Sequence, residues 1–239
     1  MVTIRHRRFA AWCATLLLAV VSVKGEGFYG KVWDFFTGKP SASAPAAEEE
    51  GASVNSGVIY RFFDEQFPPG GFTYGYPEDS KVSIDEDVWK NGEVALRFDL
   101  VAGDYSGGSV CLYNMVYDLR PILKKAALHF WIRGALGDES TMVALVDEDK
   151  TDGRKTVVRV RINNWFGQVT REWTLISIPL AYFERLNERG VYYDERLKKE
   201  IPDDFDWDKV AEFRIESRKN ENKSFRIWVD DVYIVGLDR

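Results

Sequence analysis

The chain has 239 residues, 45% of them apolar, which is enough for one substantial core with appendages. Its 38 acidic residues outnumber 32 basic ones, for a net charge of −6, a balance that argues against nucleic acid as the partner. The only cysteines are Cys13 and Cys111 and the only histidines His6 and His129, so Ser–His–Asp, Cys–His and multi-histidine metal chemistry is poorly supported.

Residues 1–25 read as a secretory signal peptide. "MVTIRHRR" is a basic start, "FAAWCATLLLAVVSV" is an apolar run of 15 residues, and Val23 and Gly25 are small residues around a cleavage point. The run is short for a bilayer span, which needs ~20 residues; an uncleaved anchor is the other reading. Cleavage would remove Arg5, Arg7, Arg8 and Lys24 and no acid, leaving 28 bases against 38 acids, a net charge of −10. The mature chain would be exported (periplasmic, secreted or at the cell surface) with Cys111 and no internal disulfide.

Residues 26–38 place Phe28, Tyr29, Val32, Trp33 and Phe36 on one helical face. This short amphipathic aromatic segment either packs back on the domain or serves as a peg for an envelope protein or membrane surface. Residues 39–57, rich in Ala and Ser with the triplet Glu48–Glu50, form a low-complexity linker.

From Val58 onward short alternating runs are broken by Gly, Pro, Asn and Asp. Strands are predicted at 58–63, 94–100, 109–116, 128–133, 141–147, 156–163, 173–179, 211–217 and 225–235. Such spacing means an all-β antiparallel sandwich or barrel. The stretch 180–210 breaks the rhythm and predicts one or two short capping helices. "FPPGGFTYGYPED" (67–79) reads as a loop displaying Phe72, Tyr74 and Tyr76.

Strand alternation sorts the side chains into two sets. Leu96, Phe98, Phe130, Ile132, Val158, Val160, Phe213 and Ile215 mark the core. The opposite set holds Arg97, Asp99, His129, Trp131, Arg133, Arg159, Arg161, Asn163, Arg214, Glu216 and Arg218. These outward residues suit a glycan, since rings stack on sugar faces and Arg, Asp and Asn bond hydroxyls. They equally suit ordinary cross-strand pairs on an exposed sheet. Trp173 and Trp207 read as core. The last strand raises a separate question. In "RIWVDDVYIV" alternation sets Asp230 with Trp228, Val232 and Ile234, and Asp231 with Ile227, Val229 and Tyr233, so at least one carboxylate lies among apolar neighbours and needs a partner.

Several landmarks occur in order: "YRFFDEQF", "GEVALRFDLVAGDYSGGSVCLYN", "YDLRPILKKAALHFWIRG", "ALVDED", "REWTLISIPLAYF", "DWDKVAEFRIES" and "FRIWVDDVYIV". The series resembles the galactose-binding-like jelly rolls, closest to family 11 carbohydrate-binding modules and the complex I intermediate-associated protein domain. The resemblance covers roughly residues 58–236 of a domain at 58–239. It implies a non-catalytic module for a polysaccharide or glycoconjugate, the arginines favouring an acidic one, with Arg97, Asp99, Tyr105, Tyr113, Trp131, Arg159 and Arg161 as binding residues. It also implies a structural calcium held by Asp230 with Asp64 or Glu65. The other readings are that Asp230 pairs with an arginine and that the fold is a cell-envelope assembly factor. A polysaccharide-active enzyme is the least supported, since no two acids stand out as a catalytic pair.

Overall fold

The computed structural model describes residues 57–237 apart from 104, 113, 149–153, 163–165, 187–189, 195 and 218–222. The expected signal peptide, the aromatic segment, the linker up to residue 56, and Tyr113 lie outside the described residues. Among those described, the chain forms β1 (Val58–Phe63), β2 (Phe72–Tyr76), β3 (Lys81–Asp85), β4 (Ala95–Leu100), β5 (Gly107–Cys111), β6 (Ala126–Gly134), β7 (Thr141–Asp147), β8 (Val157–Arg161) and β9 (Thr174–Pro179). Then come one helix, α1 (Leu180–Leu186), and β10 (Gly190–Asp194), β11 (Lys199–Asp203), β12 (Val210–Ser217) and β13 (Phe225–Gly236).

The strands make two antiparallel sheets. One runs β3-β4-β13-β6-β9, with β1 also paired to β13; the other runs β11-β10-β8-β7-β12-β5-β2. Apolar alternation drives the pairing of layers. Leu96, Phe98, Phe130, Ile132 and Ile227 of the first sheet and Val110, Leu145, Val158, Phe213 and Ile215 of the second are all buried in one shared cluster. Phe213 bridges the layers, its ring centroid 5.5 Å from Phe130 and 6.1 Å from Phe62 on β1.

Two expectations are corrected and a third is narrowed. The segment 67–79 is not all loop, because Phe72–Tyr76 pairs along β5 as an edge strand. Its alternation of ring, small, ring, small, ring is the two-residue period of a strand. The stretch 180–210 carries one short helix, α1, within the one or two expected; among its described residues the rest is not helix, since "GVYYD" and "KEIPD" form the β10–β11 hairpin. Of the two tryptophans assigned to the core, Trp207 packs against it and half-buried Trp173 does not belong to it.

β13 departs from simple alternation. Opposite β6, Asp230 faces Trp131 but Tyr233 faces His129, so three residues span what two span on the partner. This is a β-bulge, with Asp231 at φ 52°. Core positions therefore switch from Ile227 and Val229 to Val232 and Ile234. At the same point β13 leaves β4, which it pairs through Val229, and takes β1, which it meets from Val232.

Candidate functional site

The outward face of the seven-stranded sheet is built in cross-strand rows. Tyr74, Ser109, Arg214, Ala144 and Arg159 stand abreast, and Tyr76, Gly107, Glu216, Met142 and Arg161 form the next row. Arg214 and Glu216 stand at the centre, flanked by Ser109, Gly107 and Ala144, with Tyr74 and Tyr76 at one margin and Arg159 and Arg161 at the other; we call this strip the trough. Gly107 is required by this packing, because a Cβ there would lie 2.3 Å from the Tyr76 hydroxyl.

Two carboxylates are sunk in the floor, Glu212 at 1% exposure and Glu216 at 0%. Glu212 Oε2 accepts from Tyr74 OH (3.0 Å), Ser109 Oγ (3.0 Å) and Arg214 Nε (2.8 Å), while Lys155 Nζ lies 2.6 Å from its Oε1. Glu216 accepts from Tyr76 OH at 2.9 Å and pairs with Arg159 Nε at 2.5 Å. Arg159 also pairs with Glu200 at 2.9 Å and accepts company from Tyr105, whose hydroxyl takes a hydrogen bond from its Nη2. Each buried charge is thus compensated, which burial requires. Burial raises the Glu212 carboxyl, but Arg214 and Lys155 outweigh it and hold it below the usual range. Burial likewise pushes the Tyr76 hydroxyl well up, so it stays protonated and donates.

These bonds fix a line of rings. Phe72 to Tyr74, Tyr74 to Tyr76 and Tyr76 to Tyr105 are separated by 6.4, 6.2 and 5.5 Å between centroids. Phe72 and Tyr105 are 46% and 37% exposed at its two ends. Rings whose hydroxyls are tied to buried acids present preorganised faces for stacking.

The expected binding residues do not share one cleft. Tyr105, Arg159 and Arg161 lie on this face, whereas Arg97, Asp99 and Trp131 stand on the outward face of the six-stranded sheet. Strand parity alone cannot tell which sheet a strand joins. Sequence reasoning missed Glu212, although "AEFRIES" alternates Glu212, Arg214 and Glu216 on one side. Lys155 left no signal; it precedes β8 and reaches across the sheet.

The expected metal ligands are engaged by N–H groups. Asp230 is 0% exposed. Its Oδ2 accepts from the backbone N–H of Lys90 (2.8 Å) and Asn91 (3.1 Å), and its Oδ1 from that of Asp231 (2.8 Å). Glu65 accepts from the N–H of Glu93 at 2.8 Å, and Asp64 pairs with Arg61 at 2.5 Å. The amides of residues 90–93 thus tie the opening and closing strands together, the task calcium would perform. Among the described residues no group of three or more acidic, histidine or cysteine side chains is arranged to hold a metal. As placed, these carboxylates do not fit calcium.

Burial, followed by the Asp231 carboxylate, pushes the Asp230 carboxyl up to about 6 against the pull of the three amides. A folded value above the unfolded one favours the folded state at low pH, and that stability is lost as pH rises through 6. We expect raising the pH from 5 to 7 to cost roughly 1 kcal/mol at this group, read by denaturant titration, with chelator changing nothing. Calcium bound at Asp230 requires the opposite: stability rising with pH and a melting temperature lowered by chelator.

Two antiparallel sheets around one core, with a ring-lined trough on one outer face, define a β-sandwich jelly roll built for binding. The chain belongs to the carbohydrate binding domain 30 family, whose pattern matches residues 59–236. Similar solved structures include the family 30 carbohydrate-binding module of the cellulosomal cellulase Cel9D-Cel44B of Clostridium thermocellum. That likeness has a TM-score of 0.58 at 21% identity and covers 75% of this chain and 98% of that one. The family 11 module of the cellulosomal cellulase Lic26A-Cel5E of the same organism gives 0.50 at 17% identity, over 75% and 96%. At these identities the likeness shows the fold. A search of curated proteins gives no match.

Proposed function

We propose that the trough of the seven-stranded sheet holds a neutral polysaccharide chain. The observation that carries this reading is the line Phe72–Tyr74–Tyr76–Tyr105, pinned from beneath by Glu212 and Glu216. The buried charge of the trough is balanced, three carboxylates (Glu200, Glu212, Glu216) against Lys155, Arg159 and Arg214, with the exposed Arg161 at the margin. A ligand there gains little from carrying charge and much from stacking and hydroxyl contacts. The solved family 30 relative belongs to a cellulosomal cellulase, which makes a β-glucan the first ligand to try.

The role is non-catalytic binding: the two sunken carboxylates are saturated by Tyr, Ser, Arg and Lys donors and serve to hold rings in place. The chain acts outside the cytoplasm, as the leader-like residues 1–25 support; intact mass of protein from the exported fraction should place its start near Glu26. Among the described residues no helix is long and apolar enough to cross a membrane. Calcium does not enter this reading, because Asp64, Glu65 and Asp230 are occupied by other donors.

Phe72→Ala is the direct test, since this ring is 46% exposed. In affinity gels containing hydroxyethyl cellulose we expect it to abolish retardation while the melting curve moves little, exposed substitutions changing stability by only about 0.5 kcal/mol. Full retardation of a folded Phe72→Ala/Tyr105→Ala protein would remove the trough as the site.

A further inference from the structure

The outward face of the six-stranded sheet is a different surface. Trp228 stands between Arg97 on β4 and Arg133 on β6. Trp131, two residues before Arg133 on the same face, stands between Asp230 and Leu175, and Leu175 is 44% exposed. Two of the arginines here are neutralised. Arg97 reaches Asp99 at 2.9 Å and Asp85 at 3.3 Å, and Arg226 reaches Asp99 at 2.5 Å. Asp85 is further tied by the Trp228 indole N–H at 3.0 Å.

Arg133 and Lys90 differ. The Arg133 guanidinium lies 5.7 Å from the Trp228 ring centre, and its Nε is buried without an acceptor. Lys90 Nζ lies 4.7 Å from the Trp131 ring centre. Among the described residues neither has a carboxylate partner. A buried N–H left without an acceptor is unfavourable, and an anion settling on this guanidinium would supply one. Guanidinium bonds to carboxylate or sulfate are stronger than those to neutral oxygens. Beside the two cations, the indole edges and Leu175 supply an apolar floor of the kind a sugar ring covers.

We propose that this face is a second carbohydrate site, which takes an anionic polysaccharide with its carboxylate or sulfate groups on Arg133 and Lys90. The two faces then divide the ligands by charge: the trough, whose sunken ions are paired, serves a neutral chain, and the opposite face, with two cations that have no carboxylate partner among the described residues, an acidic one. The patch is small on a chain of net charge −6, so charge alone does not hold a polyanion there; contact of a sugar ring with the indoles and Leu175 must add to it, which a duplex backbone does not offer.

The test is affinity electrophoresis of the full chain in gels containing polygalacturonate, dextran sulfate or hydroxyethyl cellulose, with duplex DNA as a further probe. Retardation by polygalacturonate assigns the anion to carboxylate, and by dextran sulfate to sulfate. Arg133→Gln/Lys90→Gln should weaken that retardation at least tenfold and leave the hydroxyethyl cellulose result unchanged. Phe72→Ala should do the reverse, which separates failure of this site from failure of the trough. Arg133→Lys, which keeps charge but loses the planar fork, should fall between, and covers the case in which the double variant does not fold. The proposal is overturned if neither acidic polymer retards the native chain, if the folded double variant binds undiminished, if Phe72→Ala abolishes acidic binding too, or if duplex DNA is bound as well as the acidic polymers.

Discussion

Glu212→Ala should destabilise the domain by about 3–5 kcal/mol, the cost of removing one partner from a buried ion pair. Glu212 takes hydrogen bonds from Tyr74, Ser109 and Arg214 and an ion pair from Lys155. Lys155 is 46% exposed and turns to water, but the Arg214 side chain is only 12% exposed and cannot. It stays charged, because a guanidinium does not give up its proton inside a protein. The cost therefore falls on a stranded cation, and removing that cation as well should relieve it. Chemical denaturation of Glu212→Ala, Arg214→Ala and the double variant checks this: the double variant should be more stable than Glu212→Ala alone. Equal losses would show that the damage comes from lost packing and that the pairing counts for little. Polysaccharide binding should fall in the two variants that lack Glu212, because Tyr74 loses its anchor.

Phe213→Ala, one residue along and on the opposite side of the same strand, should cost a similar amount for a different reason. Its ring is 0% exposed and meets Phe62 and Phe130, so truncation removes contacts from both sheets and opens a cavity. Phe→Ala in a core typically costs about 3–5 kcal/mol. No second substitution at a charged neighbour should restore it, and at a temperature where the variant is still folded it should bind hydroxyethyl cellulose as the native chain does. Loss of binding by the folded variant would mean that the trough depends on the core beneath it. Neighbouring residues of one strand thus separate the chemistry of the face from the cohesion of the sandwich.

Much of the fold was legible because it rests on local periodicity. Leu96–Phe98–Leu100, Leu128–Phe130–Ile132 and Phe213–Ile215 announce a buried side without any knowledge of partners, and all are core. The edge strand Phe72–Tyr76 was hidden by Gly75 and by Gly70 and Gly71 just before it, which look like loop residues until Tyr76 is seen lying over Gly107. The site was legible by residue type but not by place. Arg97 and Arg159 carry the same signal, an arginine between apolar neighbours, yet which sheet each strand joins is decided by pairings between residues far apart in the chain. Sheet membership is a long-range property, and alternation is a short-range one. The bulge in β13 escaped for a related reason: two aspartates in a row fit either a strand with one awkward carboxylate or a strand that has gained a residue, and only the partner's register distinguishes them.

That extra residue has a consequence for what changes this strand tolerates. β13 is written in two frames, odd-numbered residues inward before the bulge and even-numbered residues inward after it, with Asp231 as the joint. At its present length a strand without the bulge would turn either Ile227 and Val229 or Val232 and Ile234 outward. Losing Asp231 itself would leave one continuous frame, with Ile227, Val229, Val232 and Ile234 all inward and the register with β6 kept. The carboxylates mark where the frame changes, so the joint is a place where this segment can lose a residue without turning its core side out.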